Sequence, residues 1–491
     1  MRLSLRRAIL LTAAAMWPLV MLLPGPARAC TIGVFSPEAT AIGRPILWKN
    51  RDVDNDNQEA AFRTGSHYSY VANVYGSEDT ASAWAGINEV GFAIMNSNSY
   101  NLSGRATGAD DGSIMAEALG SCATVDDFKR IMDSTNLVGR TQPSNFGVFD
   151  ATGRTVIYEA SNTFYTVCDA ADDSLGFLLR ANYSMSGDSI RTRGKNRYER
   201  AMQLVLPVRR AGGITPQFLF DVVGRDVGQT FFDPYPLPFE DSLDGLAHGY
   251  VPIDSTIGRH TTRAVDVMVG PRPGEPAGRG MMWISLGAPA DGLPIPLWVS
   301  GGPVPELLNG VGSSVTCDEA LRVRDYVRAD PLHPRAVNTF RMQLVMAELA
   351  PAESAIFQAV ADSEAAWADG PSPEQAAGLT DWASERVLAA YFDLWDELNH
   401  PEWGNNVPKP DPRLRARPSV SRETIRVTLP GSNWHGPVRI FDVMGNQVAV
   451  LPWQQSGTVV NWTPRDLASG SYFMLFPPES GLRPARITYL R

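Results

Sequence analysis

Histidine and cysteine are scarce, six and four in 491 residues. The histidines are scattered, and neither H-E-x-x-H nor C-x-x-C occurs, which removes the usual anchors of a metal site. A G-x-S-x-G elbow, a Walker A loop and G-x-G-x-x-G are also absent, so the serine hydrolase, nucleotide and dinucleotide readings lose their residues, and no cofactor is expected. "DVDNDN" at 52–57 looks like a calcium loop, but Asn57 replaces the glycine of its sixth position and Arg63 the acid of its twelfth. That excludes an EF-hand and leaves only a looser calcium site open. Positive charge is short as well. Four of the 43 basic residues and none of the 53 acidic ones precede Cys30, which leaves 39 against 53 beyond it, a net charge of −14. Nucleic acid is excluded as a partner, since phosphate binding needs a concentrated basic surface. Beyond the N-terminal stretch, no run reads as long and apolar enough to span a bilayer.

What the N-terminus does contain is an export signal: Arg2, Arg6 and Arg7, an apolar stretch from Ala8 to Leu23, Pro24 and Pro26 as breakers, then Ala27, Arg28 and Ala29 as an A-x-A site. Cleavage after Ala29 would make Cys30 the first residue. A lipobox fits poorly, because Ala27 and Arg28 stand where an aliphatic and a small residue belong. In an oxidising compartment the four cysteines permit two disulfides; with Cys30 free, Cys122, Cys168 and Cys317 permit one bridge and leave one thiol. A new α-amine with a pKa of about 7.7 to 8.0 would lie within reach of its own sulfur, so one residue would supply nucleophile and base.

From Cys30 to about Val311, runs such as "TIGVFS", "PILWKN", "GFAIMNS" and "TRAVDVMVG" read as strands separated by Gly, Asn and Asp turns. Residues 145–159 outline a hairpin turning at "DATG". Helical patches fall at 112–119, 125–132 and 195–206. The mixture implies an α+β fold with layered sheets. Residues 317–400 have helical periodicity and form an extension expected to pack on the body. Its last helix opens with a capping box of Ser372, Pro373 and Gln375, and its apolar positions include Trp382, Leu388, Tyr391 and Trp395. A Pro-rich, charged linker at 401–419 precedes short alternating strands at 420–491, which read as a small β-sandwich. "FDVMGNQVAVL" and "DLASGSYFMLF" in this tail resemble FlgD-type immunoglobulin-like and C-terminal sorting modules, which implies delivery or surface attachment.

With Cys30 first, residues 30 to about 310 resemble the cysteine N-terminal-nucleophile hydrolases: choloylglycine hydrolase, penicillin V acylase, and the isopenicillin N acyltransferase-like and dipeptidase-like relatives. "CTIG" followed by "ILWKNRDVD", then "GINEVGFAIMNSN", "LLRANYS" and "GRHTTRAVDVMV", carry the resemblance. It implies an αββα sandwich. It also implies Asp52 as the acceptor that holds the α-amine, Asn98 as a side-chain donor of the oxyanion hole with Asn96 on the same face, and Asn182 as the second active-site asparagine. Arg259 is the arginine expected near the thiol, with Arg263, Arg191 and Arg197 as competitors. Lys49 departs from the family's arginine and cannot form the same planar fork; Arg51, on the same strand face, could partly replace it. His260 is read as structural.

The function expected is hydrolysis of a linear amide, an acyl amide or short peptide, through a thioester on Cys30. An acyltransferase of the same family is the near alternative, and a non-catalytic lipidated surface module the distant one. The partners expected are a small-molecule substrate and, through the tail, secretion or cell-surface machinery; the location expected is periplasm, cell surface or outside the cell.

Overall fold

The computed structural model describes residues 29–76, 81–104, 107–310, 313–328, 332–398, 425–428, 437–442, 447–451, 459–464, 467, 470–475 and 485–489. The expected leader up to residue 28 and the expected linker at 401–419 lie outside the described residues.

Strands follow one another as β1 (Thr31–Phe35), β2 (Ile46–Asp52), β3 (Gln58–Thr64), β4 (Ser69–Tyr75), β5 (Ala85–Asn88), β6 (Ala93–Asn98), β7 (Ser144–Phe149), β8 (Thr155–Ala160) and β9 (Tyr165–Asp169). They continue as β10 (Phe177–Arg180), β11 (Tyr250–Pro252), β12 (Thr262–Val269), β13 (Met281–Leu286), β14 (Ile295–Leu297) and β15 (Ala336–Asn338). β3 to β9 form a seven-stranded antiparallel meander in chain order, and β10-β1-β2-β12-β13-β14 form a second, six-stranded antiparallel sheet. The hairpin expected at 145–159 is β7 and β8, closed where the Gly153 N–H donates to the Asp150 carbonyl at 2.9 Å.

The two sheets lie face to face. They come close enough at Gly147 that a Cβ there would fall 2.9 Å from both Val34 Cγ1 of β1 and Met95 Cε of β6. Helices α1 (Asp111–Ser121) and α2 (Val125–Val138) cover the outer face of the meander, with Phe128 packed edge-on against Phe146 and Tyr158 at 5.8 and 5.1 Å. Over the six-stranded sheet lie α3 (Lys195–Ala211), the short α4 (Pro216–Phe218) with a π-helical turn at 219–224, α5 (Val315–Val327), α6 (Thr339–Ala366) and α7 (Pro373–Leu398). The result is the expected αββα layering: each sheet buries one face on the other and one on helices.

The capping box of α7 is present: Gln375 Oε1 accepts from the Ser372 N–H at 2.8 Å and Ser372 Oγ from the Gln375 N–H at 3.3 Å. Leu388 and Tyr391 are buried as expected, whereas Trp382 is 39% exposed and falls off the buried stripe. By length and composition α6 is apolar enough to cross a membrane, with a mean hydropathy of 1.3, contrary to the sequence reading. Alanines account for it, and Met342, Val345, Ile356 and Val360 of α6 are buried in the shared core. All four cysteines are free: Cys122 lies in the core under the meander, Cys168 on β9, and Cys317 on α5. The one bridge that sequence allowed among Cys122, Cys168 and Cys317 is therefore not formed.

In the tail, β16 (Ile425–Thr428) pairs with β19 (Val459–Trp462), while β18 (Gln447–Leu451), β17 (Val438–Asp442), β20 (Gly470–Leu475) and β21 (Ala485–Tyr489) form a four-stranded sheet. Trp462 of the first sheet meets Tyr472 of the second at 5.2 Å.

Ion pairs tie α6 to the body: Arg44 meets Glu364 of α6 at 2.7 Å, and a second pair is more deeply buried. Arg225, just after the π turn, grips Glu353 of α6 with two parallel hydrogen bonds of 2.8 and 2.9 Å, and both side chains are 8% exposed. Removing Glu353 leaves the buried Arg225 with only the half-exposed Asp221, 2.9 Å away, as a carboxylate partner among the described residues, a loss toward the low end of the about 3–5 kcal/mol that breaking a buried pair costs. Glu353→Ala is therefore expected to lower unfolding free energy by about that amount in a denaturant titration; a loss under about 1 kcal/mol would show that the pair does not anchor α6.

Candidate active site

β1 lies between β10 and β2, and Cys30 is the residue immediately before it. Antiparallel pairing of Thr31 with Asn50 brings Cys30 beside the end of β2, where Asp52 stands. Successive side chains of β2 alternate between faces. Lys49 and Arg51 point between the sheets, while Asn50 and Asp52 point to the helix side, where Asn50 Nδ2 donates to the Gly224 and Ile257 carbonyls at 2.8 and 3.1 Å.

Asp52 is fully buried. Its Oδ1 accepts from the Thr262 hydroxyl at 2.6 Å, and its Oδ2 lies 3.8 Å from Arg197 Nη1 and 3.8 Å from Arg259 Nη1. Burial raises its pKa to about 6, against the opposing pull of Arg259, Arg197 and Thr262. The approach of Thr262 depends on a bulge. The register of β12 on β2 shifts between Thr262, opposite Asp52, and Ala264, opposite Arg51. The extra residue, Arg263, turns away to pair with Asp56. The Thr262 hydroxyl also accepts from the Arg259 N–H at 3.0 Å, so one threonine orients both the carboxylate and the loop bearing its arginine. Thr262 escaped the sequence reading although it lies inside the quoted "GRHTTR".

Arg197 links several of these residues. From the first turn of α3, its Nη1 donates to the Cys30 carbonyl at 2.9 Å and to Thr31 Oγ1 at 2.7 Å, and its Nη2 donates to Asn182 Oδ1. Gly194, at φ +80°, precedes the helix; a Cβ there would collide with the Arg197 guanidinium and crowd Ala181. Burial pulls the Arg197 pKa below its ordinary value. Among the arginines weighed from sequence, Arg259 and Arg197 thus flank Asp52 together, whereas Arg263 is held by Asp56 and Arg191 is exposed beside Asp188.

Asn182 follows β10 and donates through Nδ2 to the Asn98 carbonyl at 3.0 Å. The Asn98 amide donates to Gln142 Oε1 at 2.7 Å. Asn96 bonds elsewhere, to Asp111 Oδ2 at 2.6 Å and to Lys49 Nζ at 2.7 Å. β5 and β6 stop pairing after Ala85 and Met95, and the Lys49 ammonium fits between them, also donating to the Trp84 carbonyl at 2.6 Å. Burial lowers the Lys49 pKa to about 8. Arg51 stacks between Tyr75 and Trp84 at 4.6 and 4.7 Å. Neither Lys49 nor Arg51 lines the cleft. His260 faces Asp254 at 3.5 Å, and burial, with Arg259 nearby, keeps it neutral down to about pH 4.

A cleft of about 400 Å³ opens on this cluster, and Ala29, Tyr100, Asn182, Arg197 and Arg259 contribute to its wall. No protein-family model matches the chain, and no curated protein matches it. Similar solved structures exist. A mutant of the conjugated bile acid hydrolase from Clostridium perfringens is 12% identical, over 52% of this chain and 89% of that one, with a TM-score of 0.34. Penicillin V acylase from Agrobacterium tumefaciens is 16% identical over 55% and 85%, with a TM-score of 0.33. The N-acylethanolamine-hydrolyzing acid amidase ortholog of Caenorhabditis elegans is 14% identical over 49% and 92%, with a TM-score of 0.32.

The raised pKa of Asp52 has a signed consequence for stability. Between its ordinary value of 3.8 and about 6, the folded chain holds a proton that the unfolded chain has released. The stability contributed by Asp52 is therefore full below about pH 4 and is lost as pH rises through 6, by up to about 3 kcal/mol. Asp52→Asn, neutral throughout, should lack this slope in melting temperature against pH; the same slope in both proteins would show that Asp52 is not its source.

Proposed function

We propose that the chain is an exported amidohydrolase that cleaves linear amide C–N bonds, of an acyl amide or a short peptide, with Cys30 as an N-terminal nucleophile. The observation that carries this reading is a juxtaposition: the residue at the expected cleavage point stands at the head of a central strand, with Arg197 bonded at once to its carbonyl and to Asn182, and close to Asp52. Ala29, which cleavage would remove, is part of the cleft wall. Removal would both uncover the site and create the α-amine, whose pKa of about 7.7 to 8.0 suits proton transfer near neutrality.

In this mechanism Cys30 Sγ attacks the amide carbonyl carbon while its proton passes to the α-amine. The carbonyl electron pair moves onto oxygen, and the amide groups of Asn182 and Asn98 receive that oxyanion, Asn98 exchanging Gln142 for it. A well-placed donor of this kind stabilises the intermediate by about 3–4 kcal/mol. Asp52 and its two arginines hold the head of β1 and the amine in place. The ammonium then protonates the leaving nitrogen, the C–N bond breaks, and a thioester remains. Water attacks the thioester and gives its proton to the amine; the acid departs, and the thiolate recovers its proton. The tail strands serve delivery or attachment, through secretion or cell-surface machinery, at the periplasm, the cell surface or outside the cell.

Exported protein is expected to begin at Cys30 with a free amine by intact mass, and Cys30→Ala is expected to lower turnover across an amide panel on the order of a thousandfold. Activity kept by Cys30→Ala would overturn the mechanism, and added acyl mass on Cys30 would favour a lipid anchor. Product analysis with an added acceptor amine separates hydrolysis from acyl transfer.

A further inference from the structure

The helical extension after residue 310 reaches the site through two arginines. α5 carries Arg324 in its last turn and Arg328 at its C-cap, four residues apart and so on one side of the helix. Both grip the loop that bears Arg259. Arg328 Nη1 donates to the His260 carbonyl at 2.9 Å, and its Nη2 to the Arg259 carbonyl at 3.4 Å. Arg324 Nη1 lies 3.1 Å from Asp56 Oδ1, and the same carboxylate holds Arg263, whose Nη1 donates to the His260 carbonyl at 2.8 Å. The start of the loop is also held from the extension: β15 pairs with β11, and the Ile253 N–H donates to the Arg335 carbonyl at 2.8 Å. The body fixes the residues between, through Asn50 on the Ile257 carbonyl at 3.1 Å and the Gly258 N–H on the Asp226 carbonyl at 2.8 Å.

Arg328 and Asp291 line one cavity of about 20 Å³, room for a single water. Asp291 offsets part of the cost of burying Arg328 without bonding it, which leaves the guanidinium N–H groups to the two carbonyls. A donor to main-chain carbonyls fixes backbone, and the Arg259 side chain is placed only as well as the backbone that carries it. A displacement of about 1 Å at a reacting site can cost on the order of a hundredfold in rate. We propose that Arg328 is a positioning residue: by holding the carbonyls of Arg259 and His260 it keeps the Arg259 guanidinium beside Asp52, and it makes the helical extension a working part of the catalytic unit. The effect on turnover rests on the amidohydrolase reading, whereas the hold on Arg259 does not.

The test is a double-mutant cycle in purified exported protein, read with an amide that the wild type cleaves. Arg328→Met keeps the apolar stem and removes the donors; it should lower kcat/KM at least tenfold, and Arg328→Lys should recover part of the loss. In an Arg259→Met background the same change should cost less than about threefold, because the group it positions is gone. A first loss under tenfold, or a second of threefold or more, overturns the inference and leaves the amidohydrolase reading intact. Should Arg328→Met fail to fold, Arg328→Gln takes its place. Absence of cleavage by the wild type counts against the amidohydrolase reading alone. In that case, or if Arg259→Met leaves no measurable rate, melting temperature against pH decides. Arg197, Arg263 and Thr262 also face Asp52, but Arg259 does most to hold its pKa down. Loosening Arg259 lets that pKa climb further above about 6, so the stability that Asp52 contributes persists to higher pH before it is lost. Taken as the difference from Asp52→Asn in the same background, the step should move up by at least about half a pH unit in Arg328→Met. A step that Arg328→Met leaves in place overturns the inference.

Discussion

The carboxylate of Asp52 is held out of water between two guanidinium groups, and the position of Cys30 follows from how that charge is balanced. An isolated buried carboxylate is strongly disfavoured and takes up a proton instead. Here Arg197 and Arg259 offset part of that penalty from opposite elements, α3 and the loop before β12, and Thr262 completes the set. Arg197 does not end at Asp52; the same side chain bonds the carbonyl of Cys30, the hydroxyl of Thr31 and the amide of Asn182. The head of β1 is thereby tied to the charge centre.

Charge is handled differently on the two faces of the six-stranded sheet. Between the sheets, Lys49 finds the Trp84 carbonyl and Asn96, Arg51 finds Gln58 and two aromatic faces, and Asp266 finds Asn73 at 3.0 Å. Burial still moves Lys49 down to about 8 and Asp266 up to about 6, so these partners compensate incompletely for lost hydration. On the cleft side the cations outnumber their carboxylates, and the surplus faces the space that a ligand would enter. Among the described residues, unmet polar atoms remain in both layers, Arg51 Nη2 between the sheets and Arg259 Nε beside the cleft.

Much of the fold was legible because its signals are local. β1, β2, β6, β7, β8 and β12 follow from short strand-forming runs bounded by Gly, Asn and Asp turns, the 145–159 hairpin from its turn, and α7 from Ser372 and Gln375. β3, β5 and β9 were less visible: "QEAAFRT" and "AGIN" are short and small in side chain, and become strands through pairing with β4 and β6. The length of α6 was blurred by Pro351 and by alanines, which give a helix no clear apolar stripe. At the site, Asp52 and Asn182 were named through the family resemblance, and Arg197 links both to the Cys30 carbonyl. The choice among four arginines was not readable, since Arg191, Arg197, Arg259 and Arg263 have equal chemistry and differ only in what faces them.

By itself the sequence determined the candidates: a cysteine at an expected cleavage site, the N-x-D strand end and asparagines that the family resemblance singles out, and enough strand-forming runs for two layers to carry them. Tertiary structure alone decided which of these meet. Cys30 and Arg197 are 167 positions apart and touch because α3 begins over the end of β1 and Gly194 leaves room for the guanidinium. Arg259 reaches Asp52 from the loop before β12, while Arg263, the extra residue of the β12 bulge, turns away to Asp56. Local propensity is a property of neighbours along the chain, whereas the compensation of a buried charge depends on whichever groups the packed layers bring within a few ångströms of it.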